Sequence, residues 1–289
     1  MILVTGATGH LGGLAIEFLL KKVPANQIAA LARTPEKAAD LAAKGVEIRQ
    51  GDYHDYASLV AAFRGVDKLL LVSSSDFNDR AGQQINAINA AKEAGVKHIV
   101  YTSVAANKNV SSQSVKLITD SHLATDAHLK ASGVAYTLLN NTLYADVLPM
   151  FVGEKVAETG VFFPAGNGRV AYATRENMAE AAANVLAGTG HENKEYDITG
   201  LEALSYGDVA ALLSEIFGKT ISYTDAPLEV YVDVLKGAGV PDVFVEMLSG
   251  FATAIKKDEL DVVSSDLENL LGKKPTTVAD YLRGVYGAK

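Results

Sequence analysis

The chain has 289 residues, of which 48% are apolar and 21% charged, so it can bury a large core, as one α/β domain with a smaller second lobe. Cysteine is absent, which excludes a disulfide framework, a thiolate nucleophile and a cysteine-ligated metal. The formal charge is −8 and no basic run or aromatic-plus-basic ladder occurs, which excludes nucleic acid as an expected partner.

Ile2 to Thr5 reads as a strand. It leaves no room for a charged and apolar leader, and no apolar stretch approaches the roughly 18 residues of a bilayer span, so a cytoplasmic protein without a membrane partner is expected. Next come Gly6, Ala7, Thr8, Gly9, His10, Leu11 and Gly12, and a helix over Leu11 to Lys22. A strand feeding a glycine-rich turn into a helix start binds a dinucleotide pyrophosphate. Gly6 permits the turn, Gly9 lets backbone approach the phosphates, Gly12 lets helix and strand pack, and the first helical N–H groups face the anion. The spacing is GxxGxxG, so the strand-turn-helix context carries the reading.

A strand over Ile28 to Ala32 leads to a helix over Pro35 to Lys44, with Pro35 suited to its first turn. Further short strands are Val46 to Gln50, Lys68 to Val72, Lys97 to Thr102 and Val134 to Leu139, with helices near Tyr56 to Arg64 and Arg80 to Ala94. Six strands, mostly unbroken apolar runs, predict a doubly wound parallel sheet of Rossmann-like α/β class, with its ligand crevice at the strand C-termini. Later, Arg175 to Ala187 reads as a helix and Glu195 to Thr199 as a strand returning to the sheet. Ser205 to Phe217 opens on a Ser205, Asp208 capping pattern, Thr277 with Asp280 opens the last helix likewise, and Gly237 to Pro241 breaks the chain between helices. The expected division is a dinucleotide-binding domain of residues 1–150 plus 175–200, and a mostly helical substrate lobe of 151–174 plus 201–289.

The second strand ends Ala30-Leu31-Ala32-Arg33, without the carboxylate that an NAD site sets against the ribose 2′-hydroxyl. Arg33 offers a guanidinium fork to a 2′-phosphate, and Lys37 adds a second positive charge, so NADP(H) is the expected cofactor. The six histidines contain no His-x-x-x-His pair and no Gly-x-Ser-x-Gly elbow occurs, so neither a zinc dehydrogenase nor a serine hydrolase is expected.

Thr5 to Gly12, Leu31-Ala32-Arg33, Gly51-Asp52-Tyr53, Lys68 to Ser73, His98 to Ser103, Tyr136 to Leu139, Ala173-Thr174-Arg175 and Gly190 to Lys194 together resemble the atypical short-chain dehydrogenases called NmrA-like. The resemblance is strongest to their branch of type 2 NADPH-dependent quinone oxidoreductases and triphenylmethane dye reductases. It implies that Gly6 to Leu11 hold the pyrophosphate, that Arg33 and Lys37 hold the 2′-phosphate and that Asp52 lies near the adenine. Ser73, Ser74 and Ser75, with Thr102, would line the cofactor channel. Thr137, Leu138, Leu139, Asn140, Asn141 and Thr142 would approach the nicotinamide. The family pattern carries Arg-Asn where this chain has Asn140-Asn141, which would remove a charge from the crevice.

Ordinary short-chain dehydrogenases use a Tyr-x-x-x-Lys pair as proton relay. Here the corresponding stretch reads His122-Leu123-Ala124-Thr125-Asp126. His122 is a candidate donor, with Asp126 orienting it; the alternative is that it caps or packs its helix. Ketone reduction makes an alkoxide whose conjugate acid is of water-like strength, pKa about 15.7, and needs a positioned acid. Hydride reduction of a quinone makes a phenolate, pKa about 10, for which hydrogen bonds from Asn141, Tyr144 or water suffice, and a cationic dye needs no proton. The expected function is hydride transfer from NADPH to a quinone or dye-like acceptor. The alternatives are a non-catalytic NADP-binding redox sensor, which turnover would exclude, and a sugar-nucleotide epimerase, which lacks its tyrosine here. Oligomeric state is left open.

Overall fold

The computed structural model describes residues 1–76, 78–106 and 115–287, without the side chain of Leu117. The ordered elements are β1 (Ile2–Val4), α1 (His10–Leu20), β2 (Ile28–Ala32), α2 (Ala39–Ala43), β3 (Glu47–Gln50), α3 (Tyr56–Phe63), β4 (Lys68–Leu71), α4 (Arg80–Glu93) and β5 (His98–Val104). They continue with α5 (Lys116–Ala131), β6 (Ala135–Asn141), α6 (Leu148–Val152), α7 (Val156–Thr159), β7 (Val161–Phe162), α8 (Arg175–Ala187) and β8 (Lys194–Ile198). The rest are α9 (Tyr206–Phe217), β9 (Tyr223–Thr224), α10 (Leu228–Gly237), α11 (Asp242–Lys256), α12 (Asp266–Leu271) and α13 (Val278–Tyr286).

Seven strands form one parallel sheet in the order β3-β2-β1-β4-β5-β6-β8. The chain builds outward from β1 to β3, crosses over, and builds outward again from β4. The order therefore reverses between β1 and β4, and a crevice opens beyond their carboxyl ends. β8 pairs with β6, the expected return of the chain to the sheet.

Alternation along the strands explains why both faces are covered. Val4, Leu70, Val100 and Leu139 point to one face and pack with Ile16 and Leu19 of α1, Met178 of α8 and Leu267 of α12. Their neighbours Leu3, Leu69, Ile99 and Leu138 point to the other and pack with Leu59, Phe63, Ile88 and Leu129. A separate core near the C-terminus stacks Phe151 on Phe163 at 5.4 Å and sets Phe163 against Tyr206 at 4.4 Å, with Val209, Leu213, Leu248 and Ile255 around them. Placing Leu267 under α8 ties α12 to the sheet, so the stretch after residue 201 is not wholly apart from it.

Several element ends shift by up to two residues, β5 running on to Val104 and α1 stopping at Leu20, and two differences bear on the site. The stretch Pro35 to Lys44 divides into a 3-10 turn, Pro35–Ala38, and the short helix α2. β6 runs two residues past Leu139 because Asn140 and Asn141 pair with Ser103 and Val104 on one side and Asp197 and Ile198 on the other. The Ser205, Asp208 box is formed in both directions, and Thr277 caps α13 through the Asp280 amide. Among the described residues no helix is long and apolar enough to cross a membrane.

Candidate active site

The turn after β1 has the geometry that its glycines require. Gly6 sits at φ +59°, in the left-handed region. A Cβ on Gly12 would lie 2.4 Å from the Gly6 carbonyl oxygen, so only glycine lets α1 start against this turn. Ala7, Leu11 and Gly12 are buried behind it, and His10 is exposed at the first position of α1. That first turn holds no acidic side chain and no side-chain cap, which leaves its N–H groups and dipole directed at the crevice.

Gly6, Thr8 and Gly9 form one wall of a groove of about 280 Å³ that also takes in Arg33, Asp52, Ser73, Ser74 and Ser75. Tyr53 closes its floor: the hydroxyl lies 2.5 Å from Thr5 Oγ1 and 2.8 Å from the Val72 carbonyl. Thr102 stands behind the groove and accepts the Ser73 amide at 2.9 Å, and Gln84 accepts the Ser74 amide at 3.1 Å. His54 and Asp76, from the two lips, meet at 3.1 Å. At one end a recess of about 300 Å³ is lined by Thr8, Arg33, Thr34 and Lys37, two cations with no carboxylate. A glycine cradle at a helix start and a cationic recess at the end of β2 fit the pyrophosphate and 2′-phosphate of NADP(H).

A second cavity of about 240 Å³ adjoins the groove, and Ser73 lines both. Its walls are largely apolar, with Val104, Ile118, Leu143, Phe151, Met247 and Phe251, and its polar groups include Arg80, Ser103, His122, Asn141, Thr142, Tyr144 and Arg175. Burial pushes the Tyr144 hydroxyl pKa above the usual tyrosine range, with the Asn141 side chain among the polar groups acting on it. The Arg175 guanidinium lies over the Tyr144 ring at 4.4 Å and is held by Asp146 at 3.5 Å.

His122 is buried and uses both ring nitrogens. Arg80 Nη2 donates to its Nε2 at 3.0 Å and its Nδ1 meets the Tyr101 hydroxyl at 2.8 Å. A guanidinium only donates, so Nε2 is the acceptor and Nδ1 carries the proton toward Tyr101. Burial, then the nearby Arg80 charge, push the imidazole pKa down to about 3. The expected pairing with Asp126 is not formed: Asp126 instead accepts from Ser103 Oγ at 2.8 Å, and burial pushes its carboxyl up to about 6.

The expectations for β6 also change. Thr137, Leu138, Leu139 and Asn140 lie within the strand and line neither cavity; only Asn141 and Thr142 reach the second one. Thr137 bonds His98 and the His191 carbonyl, and Leu138 and Leu139 are core. Asn140 donates to Asp197 at 3.0 Å across to β8, on the opposite face of the strand from Asn141. The Asn140 side chain therefore sits beside β8 and lines neither cavity. Arg80 escapes sequence reasoning, since an arginine opening a helix reads as a solvated residue. Contacts across to α5 and to the Ser74 carbonyl bury it.

Residues 1–282 match the family model described as the NmrA-like family. The chain is 42% identical to Quinone oxidoreductase 2 of Escherichia coli (strain K12) over 281 residues, covering 97% of this chain and 96% of that one. It is 31% identical to an NAD(P)H azoreductase of Xenophilus azovorans, covering 98% and 97%. The solved structure of the NADPH-dependent quinone oxidoreductase QOR2 of Escherichia coli with NADPH superposes with TM-score 0.93 at 40% identity, covering 99% of this chain and all of that one. A Citrobacter sp. triphenylmethane reductase complexed with NADP(H) gives 0.91 at 39%, covering 98% and 99%. With its fold and nearly its whole length in common with these proteins, the chain belongs to the NmrA-like family.

Proposed function

We propose that this chain is an NADPH-dependent oxidoreductase that passes hydride directly to a quinone or related conjugated acceptor. The observation that carries the reading is the shared wall at Ser73, where a groove shaped for a dinucleotide opens into an apolar cavity sized for a small aromatic. The names of the quinone, azo and triphenylmethane reductases among its relatives support it.

NADPH, when bound, supplies the hydride. Arg33, Lys37 and Thr8 would hold its 2′-phosphate, and the first turn of α1 its pyrophosphate. Asn141 and Tyr144, at the polar end of the acceptor cavity, would orient the acceptor carbonyl by hydrogen bonds. The apolar wall excludes water, which strengthens those bonds. His122, neutral and occupied at both nitrogens, serves as part of the wall; the proton of a reduced quinone comes from water, consistent with its modest basicity. In this reading residues 1–150 and 175–200 hold the cofactor and form most of the acceptor cavity, to which 151–174 and 201–289 add Phe151, Met247, Phe251 and Leu260. A requirement for NADPH is consistent with the cytoplasmic reading.

Purified protein with NADPH and a para-quinone, followed at the nicotinamide absorbance, tests the reading. Acceptor-dependent oxidation is expected. NADPH binding without turnover on any quinone or cationic dye would point to a redox sensor.

A further inference from the structure

Arg80 is 8% exposed and makes four hydrogen bonds: Nε to the Ser74 carbonyl at 2.5 Å, Nη1 to Ser121 Oγ at 2.5 Å and to the Ile118 carbonyl at 3.2 Å, and Nη2 to His122. Every one of these acceptors is neutral. Among the described residues Arg80 takes part in no ion pair, whereas Arg175, the other arginine of the cavity, is held by Asp146. A buried cation without a counter-ion is costly and is seldom kept without use. Arg80 lines the acceptor cavity and not the cofactor groove, and its charge reaches the Tyr144 hydroxyl.

We propose that Arg80 sets the charge preference of the acceptor site, favouring neutral acceptors that become anionic over acceptors that arrive cationic. The inference rests on the proposed reductase reading. In both cases the electron pair comes from the C–H bond broken in NADPH, which is oxidised as the acceptor is reduced. A neutral quinone gains that pair with the hydride, becomes a phenolate and takes a proton from water. A cationic conjugated acceptor gains the same hydride and ends neutral. The fixed positive charge therefore grows more favourable along the first reaction, and opposes binding at the start of the second. The rigid net of Ser74, Ser121 and His122 holds the guanidinium in place, so no reorganisation is needed as charge develops.

The test is kcat/KM for a neutral para-quinone and for a cationic triphenylmethane dye in the wild type, Arg80→Gln and Arg80→Lys, together with the Kd for NADPH. Arg80→Gln is expected to lower the quinone-to-dye ratio by roughly tenfold to a hundredfold, and Arg80→Lys to keep it within about threefold, with NADPH affinity unchanged in both. Equal loss on both acceptors would make Arg80 a structural residue, and loss of NADPH affinity would assign its charge to the cofactor; either overturns the proposal. A wild type that turns over neither acceptor sinks the reductase reading instead. The unmutated protein gives a second measurement, should Arg80→Gln fail to fold: benzoate and benzamide are matched in shape and differ in charge. Inhibition of quinone reduction is expected to be at least about tenfold stronger with benzoate. Absence of that preference, including no inhibition by either, counts against a cationic acceptor site.

Discussion

Arg33 is exposed at the end of β2, so its chemistry is separable from the fold. Arg33→Asp replaces a guanidinium-phosphate pair by repulsion and is expected to weaken NADPH by about thirtyfold or more, with NADH within about threefold in a binding titration. Equal weakening would place the 2′-phosphate elsewhere. Tyr144→Phe removes one hydrogen bond at the acceptor, about 1 kcal/mol, so quinone kcat/KM should fall about fivefold, not by powers of ten. Asp126 gives a pH signature. Its carboxyl is raised to about 6, so the folded chain holds that proton more tightly than the unfolded chain, in which it titrates near about 4. Stability is therefore lost as pH rises from about 4 to about 6 and stays lost above. Asp126→Asn should stabilise the protein by ~1–2 kcal/mol at pH 7–8 and not at pH 4, as read by thermal melts across that range. At this scale the cofactor groove was the more legible half. The glycines and Arg33 announce themselves by type and position, whereas Arg80 and the Ser103–Asp126 pair acquire their roles from contacts between α4, β5 and α5 that no local pattern encodes.

The junction of β1 and α1 is where an element's packing depends on a single atom. A Cβ at Gly12 would meet the Gly6 and Thr5 carbonyls at 2.4 and 2.9 Å, whereas at Gly9 its only close neighbour would be the Gly6 oxygen at 3.2 Å. Gly12→Ala should cost at least ~2 kcal/mol, seen as a Tm lower by several degrees, while Gly9→Ala should melt near the wild type and show its effect in NADPH affinity. Matching Tm values for the two variants would contradict the packing account. Element existence was readable wherever period and caps agreed, as in β2, which matches its expected bounds, and in α8, capped by Thr174. The end of β6 was not, because Asn140 and Asn141 are poor strand formers. Pairing with both β5 and β8 carries the strand through them, and that pairing turns Asn140 to Asp197 while Asn141 reaches the acceptor cavity.

Over the whole molecule, the reversal of strand order between β1 and β4 opens the cofactor groove, and the core around Phe151, Phe163 and Tyr206 supports the walls of the adjoining cavity. Fold class followed from the alternation of strands and helices. The small β7–β9 pairing and the return of α12 to the sheet did not, since both rest on short segments whose partners are distant in sequence. In the proposed reaction hydride passes directly between the two cavities. The most direct measurement is quinone-dependent oxidation of NADPH deuterated at the transferred position, compared with undeuterated NADPH under single-turnover conditions. A one-to-one loss of NADPH per quinone reduced, slowed by deuterium as a primary isotope effect, is the predicted result. Tight NADPH binding with no acceptor-dependent oxidation of either isotopologue would contradict it.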